Sequence, residues 1–92
     1  MRIAEVIGTV TLNRCHPSVQ GFRWIIGVPF SLKALREQGR PDGEDVVIFD
    51  HLGAAQGQKI GFSEGAEAAA PFAPAKKPLD AYCGVILDTI TV

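Results

Sequence analysis

Arg2-Ile3-Ala4-Glu5-Val6-Ile7-Gly8-Thr9-Val10-Thr11-Leu12 alternates along its length, the even positions reading Arg, Ala, Val, Gly, Val, Leu and the odd ones drifting through Glu5 to Thr9 and Thr11. A period of two is the period of a strand, because successive side chains in extended backbone point to opposite faces. Gly8 sits in its middle, where a strand gains nothing from a missing side chain, so a bulge or a close backbone approach is expected there. Outward from this segment, Asn13 to Gly21, with Pro17, Ser18 and Gly21, reads as a loop. Phe22 to Val28 is aromatic and β-branched and reads as a second strand, closed by Pro29, which has no N–H for a ladder.

Ser31 is placed to cap a short helix with Leu32 and Leu35 on one face and Gly39 as its left-handed stop, although Ala34 stands where a capping box has Glu or Gln. Asp45 to Phe49 predicts a third strand, which enters the small-residue stretch Asp50-His51-Leu52-Gly53-Ala54-Ala55-Gln56-Gly57, a tight loop. Gln58 to Ser63 predicts a fourth strand, and Glu64 to Ala70 has the weak helical preference of its alanines. Pro71, Pro74 and Pro78, with Lys76 and Lys77, mark an exposed loop. Tyr82 to Val92 predicts a long closing strand, with Ile90 and Val92 on one face and Thr89 and Thr91 on the other. Five short strands and one short helix in 92 residues describe a mainly β chain, a small, partly open β-barrel, organised as a single domain over residues 1–92.

Trp24-Ile25-Ile26 and Val85-Ile86-Leu87 are apolar on both faces. A small barrel has one wet outer wall, so this is more apolar surface than its interior uses, and in a chain with so little helix the cover is expected to be another copy of itself. Size points the same way, since a domain this short buries only about 60–65 % of the surface its unfolded chain exposes.

Composition narrows the function classes. Hydrophobic content of 47 % excludes a disordered chain. Nine Lys and Arg against ten Asp and Glu give a net charge of −1, without the basic excess of a nucleic-acid or polybasic membrane surface. The N-terminal apolar stretch carries Arg2 and Glu5 and no cleavage-type h-region follows, and the apolar run Trp24 to Val28 falls far short of a membrane span. A cytoplasmic protein with no membrane partner is expected. Cys15 and Cys83 allow one disulfide, but the scarcity of Cys favours free thiols.

No pattern of residues points to catalysis. Asp50, His51 and Ser63 lack a nucleophile elbow. Cys15, His16, His51 and Cys83 have ligand chemistry but not the paired close spacings of a structural zinc site. Gly53 to Lys59 fails as a phosphate loop, because no Ser or Thr follows the Lys. Gly39-Arg40-Pro41 is followed at once by Asp42 and Glu44, and reads as a turn rather than a minor-groove contact. No catalytic residue, cofactor site or metal site is therefore expected. Arg14, Arg23 and Trp24 leave one alternative open, an OB-like module for single-stranded nucleic acid, against which the net charge argues.

Four segments together resemble the bacterial microcompartment vertex family, the EutN/CcmL-type pentameric shell proteins of carboxysomes and ethanolamine-utilisation bodies. Met1 to Val10 looks like that family's first strand, and Pro17-Ser18-Val19-Gln20-Gly21 like its first loop. Asp50 to Gly57 is similar to its Asp-x-x-Gly-Ala-Gly-x-Gly turn, on which Asp50, Gly53, Ala54 and Gly57 match and Ala55 departs. Lys77-Pro78-Leu79-Asp80-Ala81 and Ile86-Leu87-Asp88-Thr89-Ile90 resemble its closing segments. The resemblance implies a five-stranded OB-like barrel that assembles as a cyclic pentamer, caps the vertices of a polyhedral shell in the cytoplasm, and meets hexameric facet proteins. It puts Gly65 and Ala66 near the five-fold axis. Ala66 and Ala69 stand where the family has Ser and Arg, so a hydroxyl- or guanidinium-lined pore does not carry over. Trp24, Ile25, Ile26, Val85, Ile86 and Leu87 are the candidates for barrel core and subunit contact.

Overall fold

The computed structural model describes residues 1–75 and 77–92. Five strands, β1 (Arg2–Val10), β2 (Arg23–Pro29), β3 (Val46–Asp50), β4 (Lys59–Glu64) and β5 (Ala81–Leu87), close into a barrel in the order β1-β2-β3-β5-β4. Every neighbouring pair is antiparallel except β3 and β5, which run parallel and meet at Phe49 and Tyr82. The expected short helix is α1 (Leu32–Arg36), and the alanine-rich stretch forms one further turn, α2 (Ala66–Ala69).

Alternation decides what lies inside. Ala4, Val6, Ile25, Ile48, Ile60, Phe62, Ala81 and Cys83 fill the interior, all at most 3 % exposed. The residues between them face outward, and one end of that outer wall is covered by its own chain. There Phe49 is fully buried under Val19 and Leu79, with Phe22, Trp24, Phe72 and Tyr82 packed around it. The ring of Phe49 meets those of Phe22, Trp24 and Phe72 edge-on at 4.3, 5.5 and 5.7 Å, the preferred arrangement for opposed quadrupoles.

Several local expectations change. β1 stops at Val10, leaving Thr11 and Leu12 in the loop. Its register shifts between Val6 and Gly8, so the bulge is present, but a Cβ at Gly8 would meet nothing within 4 Å. The close approach is at Gly27, where a Cβ would lie 2.8 Å from Ile48 Cδ1 and 3.3 Å from Ala4 Cβ. Pro29 is the last residue of β2, as expected, and the chain just beyond it still bonds to β1, the Phe30 N–H donating to the Ile3 carbonyl at 2.8 Å. The carbonyl of Pro29 is used too, accepting from the N–H groups of Asp42 and Gly43.

Ser31 caps α1 as expected, its Oγ accepting from the Ala34 N–H at 3.0 Å. Asp42 accepts in turn from the N–H and the hydroxyl of Ser31, which holds its carboxyl below the usual range. The helix buries Ala34 rather than a Leu32–Leu35 face, and Leu32 is 54 % exposed. Gln38, not Gly39, takes the left-handed conformation after it. The closing strand ends at Leu87, where its partner β4 begins at Lys59, so Ile90 and Val92 have no ladder to join. Lys77 is not a solvated tip, because its Nζ donates to the Ser18 carbonyl at 2.7 Å and lies 5.2 Å from the Phe22 ring centre. Lys76 lies outside the described residues.

Candidate functional site

Asp50 is the last residue of β3 and its side chain is fully buried. It stays buried because its oxygens are used: Oδ1 accepts from the Leu52 N–H at 2.9 Å, and Oδ2 from the Ala54 N–H at 2.8 Å and Arg23 at 3.2 Å. A carboxylate holding two backbone donors and a guanidinium organises the turn that follows it. Gly53 and Gly57, at φ +79° and +90°, supply the left-handed backbone of that turn, and Ala54 packs into the barrel at 0 % exposure. The four residues matched to the family turn thus form one unit, with Asp50 as its inward anchor and Ala54 as its plug.

Cys83 lies in the same interior. Its Sγ contacts the Val85 carbonyl at 3.6 Å, and burial, reinforced by the nearby charge of Asp50, pushes its thiol up to about 12. A thiol so disposed is a packing group and not a nucleophile. Cys15 is exposed on the β1–β2 loop, and both cysteines are free. His16 works within that loop, its Nδ1 accepting from the Ser18 N–H at 3.1 Å. His51 is exposed, with its ring edge-on to Phe49 at 4.5 Å. Among the described residues no three His, Cys, Asp or Glu side chains gather where they would hold a metal ion. No described helix is long and apolar enough to cross a membrane. Arg23, a member of the imagined nucleic-acid face, is committed to Asp50, and Trp24 packs on Phe49.

The candidate contact residues separate by position. Ile25 is core. Trp24 and Ile26 are half-buried on the outer wall, and Leu87 is half-buried at the end of β5. Val85 and Ile86 are 38 % and 36 % exposed and are not core. Residues that sequence reasoning passed over join them: Val47, directly across from Ile26, is 50 % exposed, and Ile7, extruded by the bulge, is 44 % exposed. The run Val46-Val47-Ile48-Phe49 carries the same two-faced apolar signal that singled out Trp24 to Ile26, so Val47 was findable by that criterion. Gly65, at φ +65° and ψ −142°, and Ala66 are exposed at the start of α2, and the Gly65 N–H donates to the Asp80 carbonyl at 2.9 Å.

A small closed barrel with ordered turns and bare apolar stretches on its outer wall is the build of an assembling subunit. The comparisons give that class its family. The model for "Ethanolamine utilisation protein EutN/carboxysome" matches residues 1–88, and the chain belongs to this EutN/CcmL family. It is 32 % identical over 92 residues to the carboxysome shell vertex protein CcmL of Gloeobacter violaceus, covering all of this chain and 87 % of that one. To CcmL of Synechococcus elongatus it is 33 % identical over 92 residues, covering 88 % of that protein. Among solved structures, the GrpN pentameric microcompartment shell protein from Rhodospirillum rubrum superposes with a TM-score of 0.82 at 27 % identity, covering 100 % of this chain and 99 % of that one.

Proposed function

We propose that residues 1–92 form one vertex subunit of a bacterial microcompartment shell, a cyclic homopentamer that closes the corners of a polyhedron in the cytoplasm. The observation that carries this reading is the match, over the whole of this chain, to carboxysome shell vertex proteins. The geometry is compatible with it. A sheet of hexagonal units is flat and cannot close, and five-fold units at its corners supply the curvature. The role is structural and not enzymatic, and the partners are four further copies and the hexameric proteins of the facets. Gly65 and Ala66 lie near the five-fold axis in this reading, where Ala66 and Ala69 present methyl groups in place of a hydroxyl and a guanidinium.

Native mass in dilute neutral buffer tests it first. The expected result is one species at about five times the 9.8 kDa chain. Co-expression with a hexameric facet protein is then expected to give closed particles, and omission of this chain particles open at the corners. A monomer at micromolar concentration overturns the reading.

A further inference from the structure

The loop between β1 and β2 carries a single 3-10 turn, Pro17–Val19, which buries Val19 against Phe49. His16 stands at the N-cap of this turn, and its Nδ1 accepts from the Ser18 N–H at 3.1 Å. A backbone N–H only donates, so Nδ1 bears a lone pair and the ring is neutral, with its proton on Nε2. Serine, threonine, asparagine and aspartate are the usual side chains at a cap. Histidine differs from them, because a proton taken up near neutral pH removes its acceptor.

The same turn fastens a second segment. The Ser18 carbonyl accepts from Lys77 Nζ at 2.7 Å, and that ammonium lies 5.2 and 5.8 Å from the ring centres of Phe22 and Phe72. The Lys77 carbonyl in turn accepts from the N–H of Leu79, which is buried with Val19 and Phe49. Ser18 is therefore held through its N–H by His16 and holds Lys77 through its carbonyl. The covering of the Trp24 end of the outer wall depends on this one residue for its polar tie.

The charges around His16 decide the direction of a proton's effect. Arg14 and Cys15 flank it on its own loop, and Lys77 stands on the other side of Ser18. The rings that Lys77 reaches also meet His51, whose ring centre is 5.2 Å from that of Phe22 and 5.5 Å from that of Phe72, and Tyr82, 5.3 Å from Phe72. Asp50, next to His51, is committed to Arg23 and to the N–H groups of Leu52 and Ala54, and Asp80 is exposed beyond Leu79. Among the described residues no carboxylate pairs with His16. A proton there meets no opposite charge and adds to those of Arg14 and Lys77. Its one acceptor is Ser18 Oγ, 2.7 Å from Nδ1, and that contact leaves the Ser18 N–H without a partner.

We propose that His16 is a pH-sensitive latch. Neutral, it caps the Pro17–Val19 turn and so fastens the β1–β2 loop to the Lys77–Leu79 segment; protonated, it releases both. The device lies within one chain and does not rest on the ring reading.

The test follows the whole chain from pH 8 to pH 5. Trp24, the only tryptophan, packs on Phe49 at 5.5 Å and reports the cluster by its emission, while hydrogen exchange reads the Ser18 amide directly. In wild type the protection of that amide is expected to fall roughly 3- to 10-fold across the range, the worth of one hydrogen bond, with a reversible one-proton change in emission. His16→Asn keeps a side-chain acceptor and takes up no proton, so both signals are expected to stay flat. His16→Asp, ionised throughout, is expected to match it, and a folding defect in one leaves the other to decide. His51→Gln is expected to respond as wild type, and Lys77→Met to show the acid emission of Trp24 already at pH 8. No response in wild type, a retained response in the His16 variants, or a lost one in His51→Gln overturns the latch. Unaltered emission from Lys77→Met at pH 8 overturns it as well. Native mass is read at each pH and is expected to stay constant; an emission change that comes only with a change in mass belongs to assembly and overturns the proposal.

Discussion

The carboxylate of Asp50 accepts from the backbone N–H of Ala54 at 2.8 Å, and both residues are buried in the barrel. That bond ties the strand end to the turn it begins, and Arg23 on β2 neutralises the charge the bond brings inside.

Asp50→Ala is therefore expected to lower stability by about 2–4 kcal/mol, because two backbone donors lose their acceptor, one of them at a fully buried residue. Arg23→Gln removes a pair whose cation is 41 % exposed and is expected to cost about 1 kcal/mol or less. Urea unfolding of the two variants gives the ranking, and an Arg23 variant as damaged as the Asp50 variant contradicts it.

Gly8 and Gly27 reverse the order that strand patterning suggests. A side chain at Gly27 would have to displace Ile48 or Ala4 in the core, so Gly27→Val is expected to cost roughly 2–3 kcal/mol. Gly8→Val meets open space and is expected to leave the melting of the single chain within a few degrees of wild type. Thermal melts under conditions that dissociate the ring separate this effect from assembly.

Gly53 has room around it but holds φ at +79°, so its cost is conformational rather than steric. Gly53→Val is expected to destabilise by about 1–2 kcal/mol. The same substitution with unchanged unfolding would show that the turn relaxes to ordinary angles.

Cys83 makes stability depend on alkaline pH. The unfolded thiol loses its proton near 9.0, whereas the folded one holds it to about 12. Between those values the unfolded state binds fewer protons than the native state, so stability falls as pH rises. In Cys83→Ala the slope above pH 9 is expected to be shallower by up to about 1.4 kcal/mol per pH unit. Denaturant melts at pH 8, 9.5 and 10.5 measure it, and equal slopes remove the thiol from the account. A thiol reagent is expected to reach Cys83 only on unfolding.

Much of this was legible in the chain itself. Period-two alternation, Ser31 before a short helix, and glycines at the Asp50–Gly57 turn are local signals, and local steric rules read them correctly at β1, α1 and the turn. The two-faced apolar runs likewise announced that some outer wall would be covered, because a hydrophobic excess is a matter of counting.

Which wall is covered, and by what, was decided only by closure of the barrel. Trp24 and Ile26 lie on the same outward face of β2. Phe49, Tyr82 and the loops through Val19 and Leu79 fold over the end holding Trp24, whereas at the other end Ile26 is only half-buried and Val47 is 50 % exposed. The same holds for the glycines: Gly8 and Gly27 look alike in sequence, and only the β2–β3 register, which pairs Gly27 with Val46 and Ile25 with Ile48, brings the Ile48 side chain diagonally over Gly27. The ladder that the alternation of Ile90 and Val92 calls for is absent because β4 begins only at Lys59, opposite Leu87. Alternation records that a residue has an inside and an outside, but what stands on each side is set by strands distant in sequence, and so by the tertiary structure alone.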